Sequence, residues 1–290
     1  GRAGNGIDNI DISACTRRGI IAVNTPEANI MAAGELAVAL AFAVFRNVAE
    51  ADRRARQDDF KRVSMIGNEL EGKVAGIIGL GRFGSIVARK LSGIGMDVIA
   101  YDPYISDEKF TKLGVRKCEK LDDLLQSADL ITFHTPKNKE TYNMLDAEGI
   151  AKCRKGVRIV NAARGGLVNE KALYDALVSG HVAGAGIDVF DKEPSYDKNP
   201  GEQNFVNPLL TLPNCVITPH LGASTHEANS NVGTAVTELV ARALEGELVA
   251  AVNMPSVSGR LSEMAPYIEL AEKLGSIYYQ AEKERVNKIE

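Results

Sequence analysis

Three polar side chains stand where a run of apolar residues has just ended. Arg164 follows Val160-Asn161-Ala162-Ala163, Glu193 closes the segment Gly186–Pro194, and His220 follows Cys215–Thr218. An imidazole in such a place can take up or release a proton near neutral pH. A carboxylate beside it would raise its pKa and fix its ring. A guanidinium grips a carboxylate through two parallel hydrogen bonds, a geometry that lysine cannot match. The set suits a reaction in which a base takes a proton from a small carboxylic acid. Asp188 interrupts an otherwise apolar strand, where a carboxylate is costly without a partner. Taken singly, each has a plain alternative: a surface arginine in a glycine-rich loop, a solvated glutamate, a structural histidine. His134, at another strand end, is the one rival base, and His181 and His226 fall in helical or turn contexts that read as exposed.

A second motif binds rather than reacts. Val74–Ile78 runs into Gly79-Leu80-Gly81-Arg82-Phe83-Gly84 and then into a helical pattern, the strand–turn–helix setting that gives G-x-G-x-x-G its meaning. Gly79 permits the tight turn, Gly81 lets the backbone approach a pyrophosphate, and Gly84 lets helix and strand pack closely. The helix start offers open N–H groups and a positive dipole end to the anion. The next strand ends in Asp102, placed to accept hydrogen bonds from ribose hydroxyls and to repel a 2′-phosphate, which predicts NAD rather than NADP. The plain alternative for Asp102 is a turn-forming aspartate before Pro103.

Short β-branched runs alternating with helical patterns must position these groups, which predicts parallel α/β architecture. Expected strands are Ile20–Asn24, Val74–Ile78, Asp97–Tyr101, Leu130–His134, Arg158–Asn161, Ala185–Val189 and Cys215–Thr218, nearly all apolar, as strands covered on both faces should be. Helical patterns lie between them at Gly84–Gly93, Leu121–Ser127 and Asn169–Ser179. Two longer ones, Ala28–Arg56 and Thr225–Glu245, bracket the strand-rich middle, the second opening on Ser224-Thr225-His226-Glu227 with a hydroxyl cap. The division expected is 31–222 as one domain, 1–30 with 223–254 as another, and 255–290 as a C-terminal helical segment. Gly1-Arg2-Ala3-Gly4 reads as a strand end entering a loop, so the chain is expected to begin inside a domain.

The 290 residues carry 45% apolar and 25% charged side chains, the profile of an ordinary globular protein, and a net charge of -4, which gives no pointer to nucleic acid or an anionic membrane as a partner. The longest apolar stretch, Leu36–Val44, falls well short of the ~20 residues a membrane span needs. Cys15, Cys118, Cys153 and Cys215 have no metal-ligand spacing and read as small buried thiols of a reducing cytoplasm; no metal is expected.

Taken together, the glycine turn with Asp102, the Asn161–Gly166 loop, the Asp188–Pro194 segment and Pro219-His220-Leu221-Gly222 resemble the D-isomer-specific 2-hydroxyacid dehydrogenase family over nearly the whole chain. The resemblance implies a doubly wound parallel-sheet Rossmann domain for NAD, with a second, smaller, incomplete flavodoxin-like substrate domain. It implies hydride transfer between NAD and a 2-hydroxy acid, with Arg164 binding the substrate carboxylate, His220 as acid/base and Glu193 as its partner. It places Arg82 and Phe83 against the pyrophosphate and Asp188 on the nicotinamide side. Thr135, Ala162, Ala163, Gly222 and Ala223 join the cofactor set, together with Arg164 and His220. Arg2-Ala3-Gly4-Asn5-Gly6-Ile7-Asp8-Asn9-Ile10-Asp11, His220–Thr225 and Tyr267–Gly275 are similar to members acting on a phosphorylated glycerate. By that likeness Arg2 would hold substrate, Asn5 would lie near the nicotinamide, and Arg62 would reach the substrate phosphate across a dimer interface. Family length implies more of the substrate domain before Gly1 and a regulatory domain after Glu290. The small residues of the first long helix, with the family likeness, predict a twofold dimer formed through it, a plain core helix being the alternative. Two other readings stay open: a sister dehydrogenase for glycerate, lactate or hydroxyisocaproate, and an NAD-binding scaffold without turnover.

Overall fold

In the computed structural model, which describes residues 1–7, 9–195, 198–199, 201–202, 204–254 and 261–282, seven strands form one sheet. They are β1 Val74–Ile78, β2 Asp97–Tyr101, β3 Arg116–Lys117, β4 Leu130–Phe133, β5 Val157–Asn161, β6 Val182–Ile187 and β7 Cys215–Ile217. The helices are α1 Ile12–Arg17, α2 Ile30–Phe45, α3 Val48–Ala55, α4 Arg82–Gly93, α5 Asp107–Leu113, α6 Leu121–Ser127, α7 Ala147–Lys152, α8 Glu170–Ser179, α9 His226–Leu244 and α10 Leu261–Glu282. Every strand pair is parallel. The order is β3-β2-β1-β4-β5-β6-β7. The chain builds outward from β1 through β3, then crosses back to β4 on the other side. That reversal opens a crevice at the carboxyl ends of β1 and β4, the place where such sheets bind ligands.

The strands are apolar because both faces are covered. Residues of α2, α4 and α5 pack with β1 and β2 in one core, and those of α6, α7 and α8 with β4, β5 and β6 in the other. β4 buries all of its residues. Close approach is written into small residues. A Cβ on Gly186 of β6 would stand 2.9 Å from Leu40 Cβ of α2, and one on Gly34 of α2 would stand 2.9 Å from Ile86 Cγ2 of α4.

The structure corrects the expected helix Ala28–Arg56. It breaks at Asn47, which takes a left-handed conformation at φ 53, so that α2 and α3 meet at 64°. The Asn47 side chain donates to the carbonyls of Met65 and Ile66, at 3.2 and 3.3 Å, and ties the following segment to the break. The apolar stripe of α2 is core: Ala32, Ala37, Leu40, Ala41 and Val44 are buried against the sheet and α4. Met31 and Phe42 of the same helix are exposed. Among the described residues no single helix is long and apolar enough to cross a membrane.

The chain divides into two compact units, Pro26–Asn231 and Gly1–Thr25 with Val232–Glu290. The sheet lies wholly in the first. In the second, Asp11 caps α1 by accepting the Ala14 N–H at 2.7 Å. Residues 20–24, expected as a strand, form no ladder. They make a single bridge, Arg2 with Asn24, and the Asn253 side chain bonds the Ala22 N–H and the Ile20 carbonyl. Of the expected 255–290 segment, 261–282 is α10 and residues 255–260 and 283–290 lie outside the described residues. Asp8 lies outside them as well.

Candidate active site

β5, β6 and β7 are parallel neighbours, so the loops leaving their carboxyl ends lie side by side. Arg164 stands just beyond β5, Asp188 directly after β6 and His220 just beyond β7. Asp188, only 1% exposed, organises the turn that carries the histidine. Its carboxylate accepts the Thr218 hydroxyl at 2.5 Å, the Leu221 N–H at 2.7 Å and the Gly222 N–H at 3.0 Å, while its carbonyl accepts the His220 N–H at 2.9 Å. These bonds explain a charged group in an apolar strand, since a buried carboxylate is stable only when hydrogen-bonded. They hold His220 at φ 56, a left-handed conformation uncommon for a non-glycine residue.

Both carboxylate oxygens of Glu193 lie 2.9 Å from His220 Nδ1. The Glu193 hydrogen bond holds the imidazole above its usual pKa, against the opposing effect of desolvation. The charges of Glu193 and Asp188 add to the rise and that of Arg164 opposes it, so the guanidinium lies within electrostatic reach of the ring. Arg164 is set by Asn161, whose side chain accepts the Ala163 N–H at 3.1 Å and donates to the Arg164 carbonyl at 2.8 Å. A Cβ on Gly165 would stand 1.8 Å from the Phe190 carbonyl oxygen. The arginine loop therefore lies backbone to backbone on the segment that leads to Glu193.

The glycine turn fits a dinucleotide. Gly79 has φ +92, and a Cβ there would stand 2.7 Å from Thr135 Cγ2 and 2.9 Å from the His134 carbonyl. A Cβ on Gly84 would stand 1.9 Å from the Gly79 carbonyl oxygen, so helix and turn touch. A Cβ on Gly81 would meet nothing within 4 Å, so the turn has an open side there. No side chain caps α4, which leaves its first-turn N–H groups directed at that space. Asp102 accepts the Leu80 N–H at 2.7 Å and so also holds the turn itself.

A family model described as D-isomer specific 2-hydroxyacid dehydrogenase, NAD binding domain, matches residues 38–222. The chain belongs to the D-isomer-specific 2-hydroxyacid dehydrogenase family. Its matched domain takes NAD as cofactor. The chain is 48% identical over 277 residues to D-3-phosphoglycerate dehydrogenase of Mycobacterium tuberculosis, covering 94% of this chain and 50% of that protein. It is 43% identical over 292 residues to D-3-phosphoglycerate dehydrogenase of Methanocaldococcus jannaschii, covering 100% of this chain and 54% of that protein. The chain thus spans about half the length of the curated relatives it matches. Among solved structures, a D-lactate dehydrogenase with NAD+ from Lactobacillus jensenii matches at TM-score 0.76 and 30% identity, covering 86% of this chain and 76% of that one.

The remaining residues singled out by family likeness are spread more widely. Ala162, Ala163 and Gly222 are buried beside one another, a Cβ on Gly222 standing 3.9 Å from the Ala162 carbonyl, and Ala223 is half-buried next to them. Thr135 lies against the glycine turn. Arg82 pairs with Glu27. Arg62 is exposed on the 3-10 turn Arg62–Met65, outside this cluster. Arg2 and Asn5 belong to the other unit. There the Arg2 N–H donates to the Val23 carbonyl at 2.8 Å, and the Asn5 carbonyl accepts the Asn24 side chain at 2.9 Å. Sequence reasoning expected Asp188 to need a partner without finding which, and it missed the supporting role of Asn161 at the end of β5. It also missed the Lys137–Asp191 pair at 2.6 Å, joined by the Tyr142 hydroxyl at 3.2 Å from Asp191, which links the loops after β4 and β6.

The other histidines are not rivals. His181 is half-buried rather than exposed, with Nε2 2.9 Å from the Ile150 carbonyl. His134 is buried, its Nε2 3.1 Å from the Thr132 hydroxyl and its ring edge-on to Phe83 at 4.3 Å. Burial drives its pKa from 6.5 down to about 3, so it stays neutral and cannot cycle a proton at working pH. The unfolded chain takes up this proton near 6.5 while the folded one does not until about 3. The unfolded state therefore binds more protons across that window, and stability falls as pH drops through it, by up to about 1.4 kcal/mol per pH unit from this residue. Urea midpoints of a His134→Gln variant should depend less steeply on pH in that window than wild-type midpoints. Equal slopes would contradict the assignment.

Proposed function

We propose that the protein oxidises 3-phospho-D-glycerate to 3-phosphohydroxypyruvate with NAD, the first committed step of serine biosynthesis. The observation that carries the chemistry is the His220–Glu193 couple, with Arg164 in its field, at the tips of β5–β7. The names of relatives 40–48% identical favour the phosphorylated substrate. NAD, when bound, supplies the hydride acceptor. Arg164 offers the substrate carboxylate two parallel N–H donors. His220 Nε2 takes the hydroxyl proton as the C2–H bond breaks and the carbonyl forms. Glu193 stabilises the imidazolium that results. In the reverse direction the imidazolium returns the proton. Arg2 and Arg62 are the proposed additional cations for the substrate. Rates with a panel of 2-hydroxy acids test the reading. 3-Phospho-D-glycerate should give the highest kcat/KM, and preference for glycerate, lactate or hydroxyisocaproate would replace it with a sister activity. NAD binding without turnover of any acid would favour the scaffold.

Glu193 also sets a pH dependence. Its hydrogen bond raises the His220 pKa, so a Glu193→Gln change lowers it. Oxidation needs the neutral imidazole, and kcat/KM therefore rises with pH through that pKa. In the variant this rise moves to lower pH and the plateau drops by roughly 10²-fold, as the ring loses its partner. The reduction direction needs the imidazolium, so its decline also moves to lower pH. A pH–rate profile that does not move would contradict the pairing.

A twofold dimer is proposed through the surface that carries Phe42, Val48, Phe60, Val63 and Ile66, all exposed. A monomer mass in solution would contradict it. Of the thiols expected to be buried, Cys118 and Cys153 are, while Cys15 and Cys215 are only partly so; a reducing, cytoplasmic setting is proposed from the lack of any disulfide or metal spacing in the sequence. Burial pushes the Cys153 thiol up to about 12, which removes it as a nucleophile.

A further inference from the structure

Tyr104 and Glu140 join two loops on either side of the glycine turn. The sheet order puts β2 on one side of β1 and β4 on the other. Tyr104 lies in the loop after β2, and Glu140 on the turn after β4. The Tyr104 hydroxyl donates to a Glu140 carboxylate oxygen at 2.5 Å, and the Tyr104 N–H donates to Asp102 Oδ1 at 3.0 Å. One residue therefore connects Asp102, the carboxylate assigned to the ribose in the NAD reading, to a second carboxylate across the end of β1. Bond lengths limit the distance between these two carboxylates to roughly 13 Å. An anion midway between them lies inside the ~8 Å Debye length of both at physiological salt.

The two loops also share a field. The Glu140 hydrogen bond and charge hold the Tyr104 phenol above its usual range, and Asp102 adds to the effect. Nearby cations are engaged elsewhere: Arg82 pairs with Glu27 and Lys137 with Asp191. Lys139 is exposed on the same turn as Glu140 and offsets part of the negative potential. Tyr104 is 76% exposed, so its tie to Glu140 is not explained by core packing.

We propose that Glu140, held in place by Tyr104, is a second selectivity residue that acts with Asp102 to turn away the 2′-phosphate of NADP. The proposal rests on the NAD reading and deepens it. Replacing Glu140 by a neutral side chain removes one negative charge and leaves Lys139 to attract the phosphate. Titration calorimetry of wild type, Glu140→Gln and Tyr104→Phe against NAD and NADP tests it without turnover. In Glu140→Gln the ratio of the NADP to the NAD dissociation constant should narrow about three- to tenfold at low salt. The narrowing should shrink as salt rises. In Tyr104→Phe, which frees the carboxylate but keeps the ring, the ratio should narrow less. A ratio unchanged within twofold in Glu140→Gln, with NAD still bound, overturns this inference and leaves the NAD reading standing. A narrowing that salt does not diminish assigns the effect to loop packing and overturns it too. A wild-type protein that binds neither dinucleotide overturns both.

Discussion

A His220→Asn variant is expected to fold as the wild type does and to lose roughly 10²–10⁴ in kcat, the range expected for loss of a general acid–base group. Asparagine suits the test because it tolerates the left-handed conformation that His220 holds at φ 56. The His220 N–H bond to the Asp188 carbonyl and the three bonds to the Asp188 carboxylate do not use the imidazole, so the turn should persist. Stability should fall by no more than about 1 kcal/mol, the size of the single hydrogen bond to Glu193 that the variant loses. The NAD dissociation constant should be little altered. Urea unfolding, calorimetry and initial rates check the three parts. A variant that folds and retains a tenth or more of wild-type turnover would remove His220 from the chemistry.

The glycine turn gives the second large effect, and two of its glycines should behave differently. In Gly84→Ala the new methyl would stand 1.9 Å from the Gly79 carbonyl oxygen and 3.0 Å from its carbon, both backbone atoms. Helix α4 and the turn must part, at a cost of about 1–3 kcal/mol in stability. NAD binding should weaken by roughly tenfold or more, equivalent to at least about 1.4 kcal/mol. In Gly81→Ala the methyl meets nothing within 4 Å and the backbone, at φ -64, accepts it. That variant should keep its stability and lose NAD affinity alone, because the methyl occupies the side from which a pyrophosphate approaches. Equal stability losses in the two variants would contradict the geometry, as would undiminished NAD affinity in Gly81→Ala.

Much of this was legible in the residues because the informative signals are local. An apolar run of five followed by a glycine turn and a helix start identifies β1 and its loop without tertiary knowledge. Arg164, Glu193 and His220 stand at strand ends, and the parallel order of β5, β6 and β7 brings their loops together. What was hidden depends on partners distant in sequence. Nothing in the neighbourhood of Asp188 reveals that its carboxylate binds residues 218, 221 and 222; the family likeness implied only its place on the nicotinamide side. The apolar stripe of α2 gives no sign of which strand it covers, and the packing of Leu40 on Gly186 of β6 shows it. The break at Asn47 carries a weak signal, because asparagine occurs inside helices as well as in left-handed turns. β3, with two residues, is too short for any periodicity. Ile20–Asn24 has the composition of a strand but no neighbour to make a ladder beyond one bridge. The Tyr104–Glu140 and Lys137–Asp191 bonds join exposed side chains 36 and 54 positions apart, which no local pattern encodes.

The central claim is that hydride leaves C2 of a 2-hydroxy acid held at Arg164 while His220 takes the hydroxyl proton. Its most direct test follows the hydrogen itself. The protein is incubated with NAD and 3-phospho-D-glycerate deuterated at C2, and the reduced nicotinamide is examined by mass spectrometry and proton NMR. The account predicts one deuterium at C4 of the reduced ring and a slowed rate relative to the undeuterated acid. Reduced nicotinamide without deuterium, or no reduction with this or any other C2-deuterated 2-hydroxy acid, would contradict it.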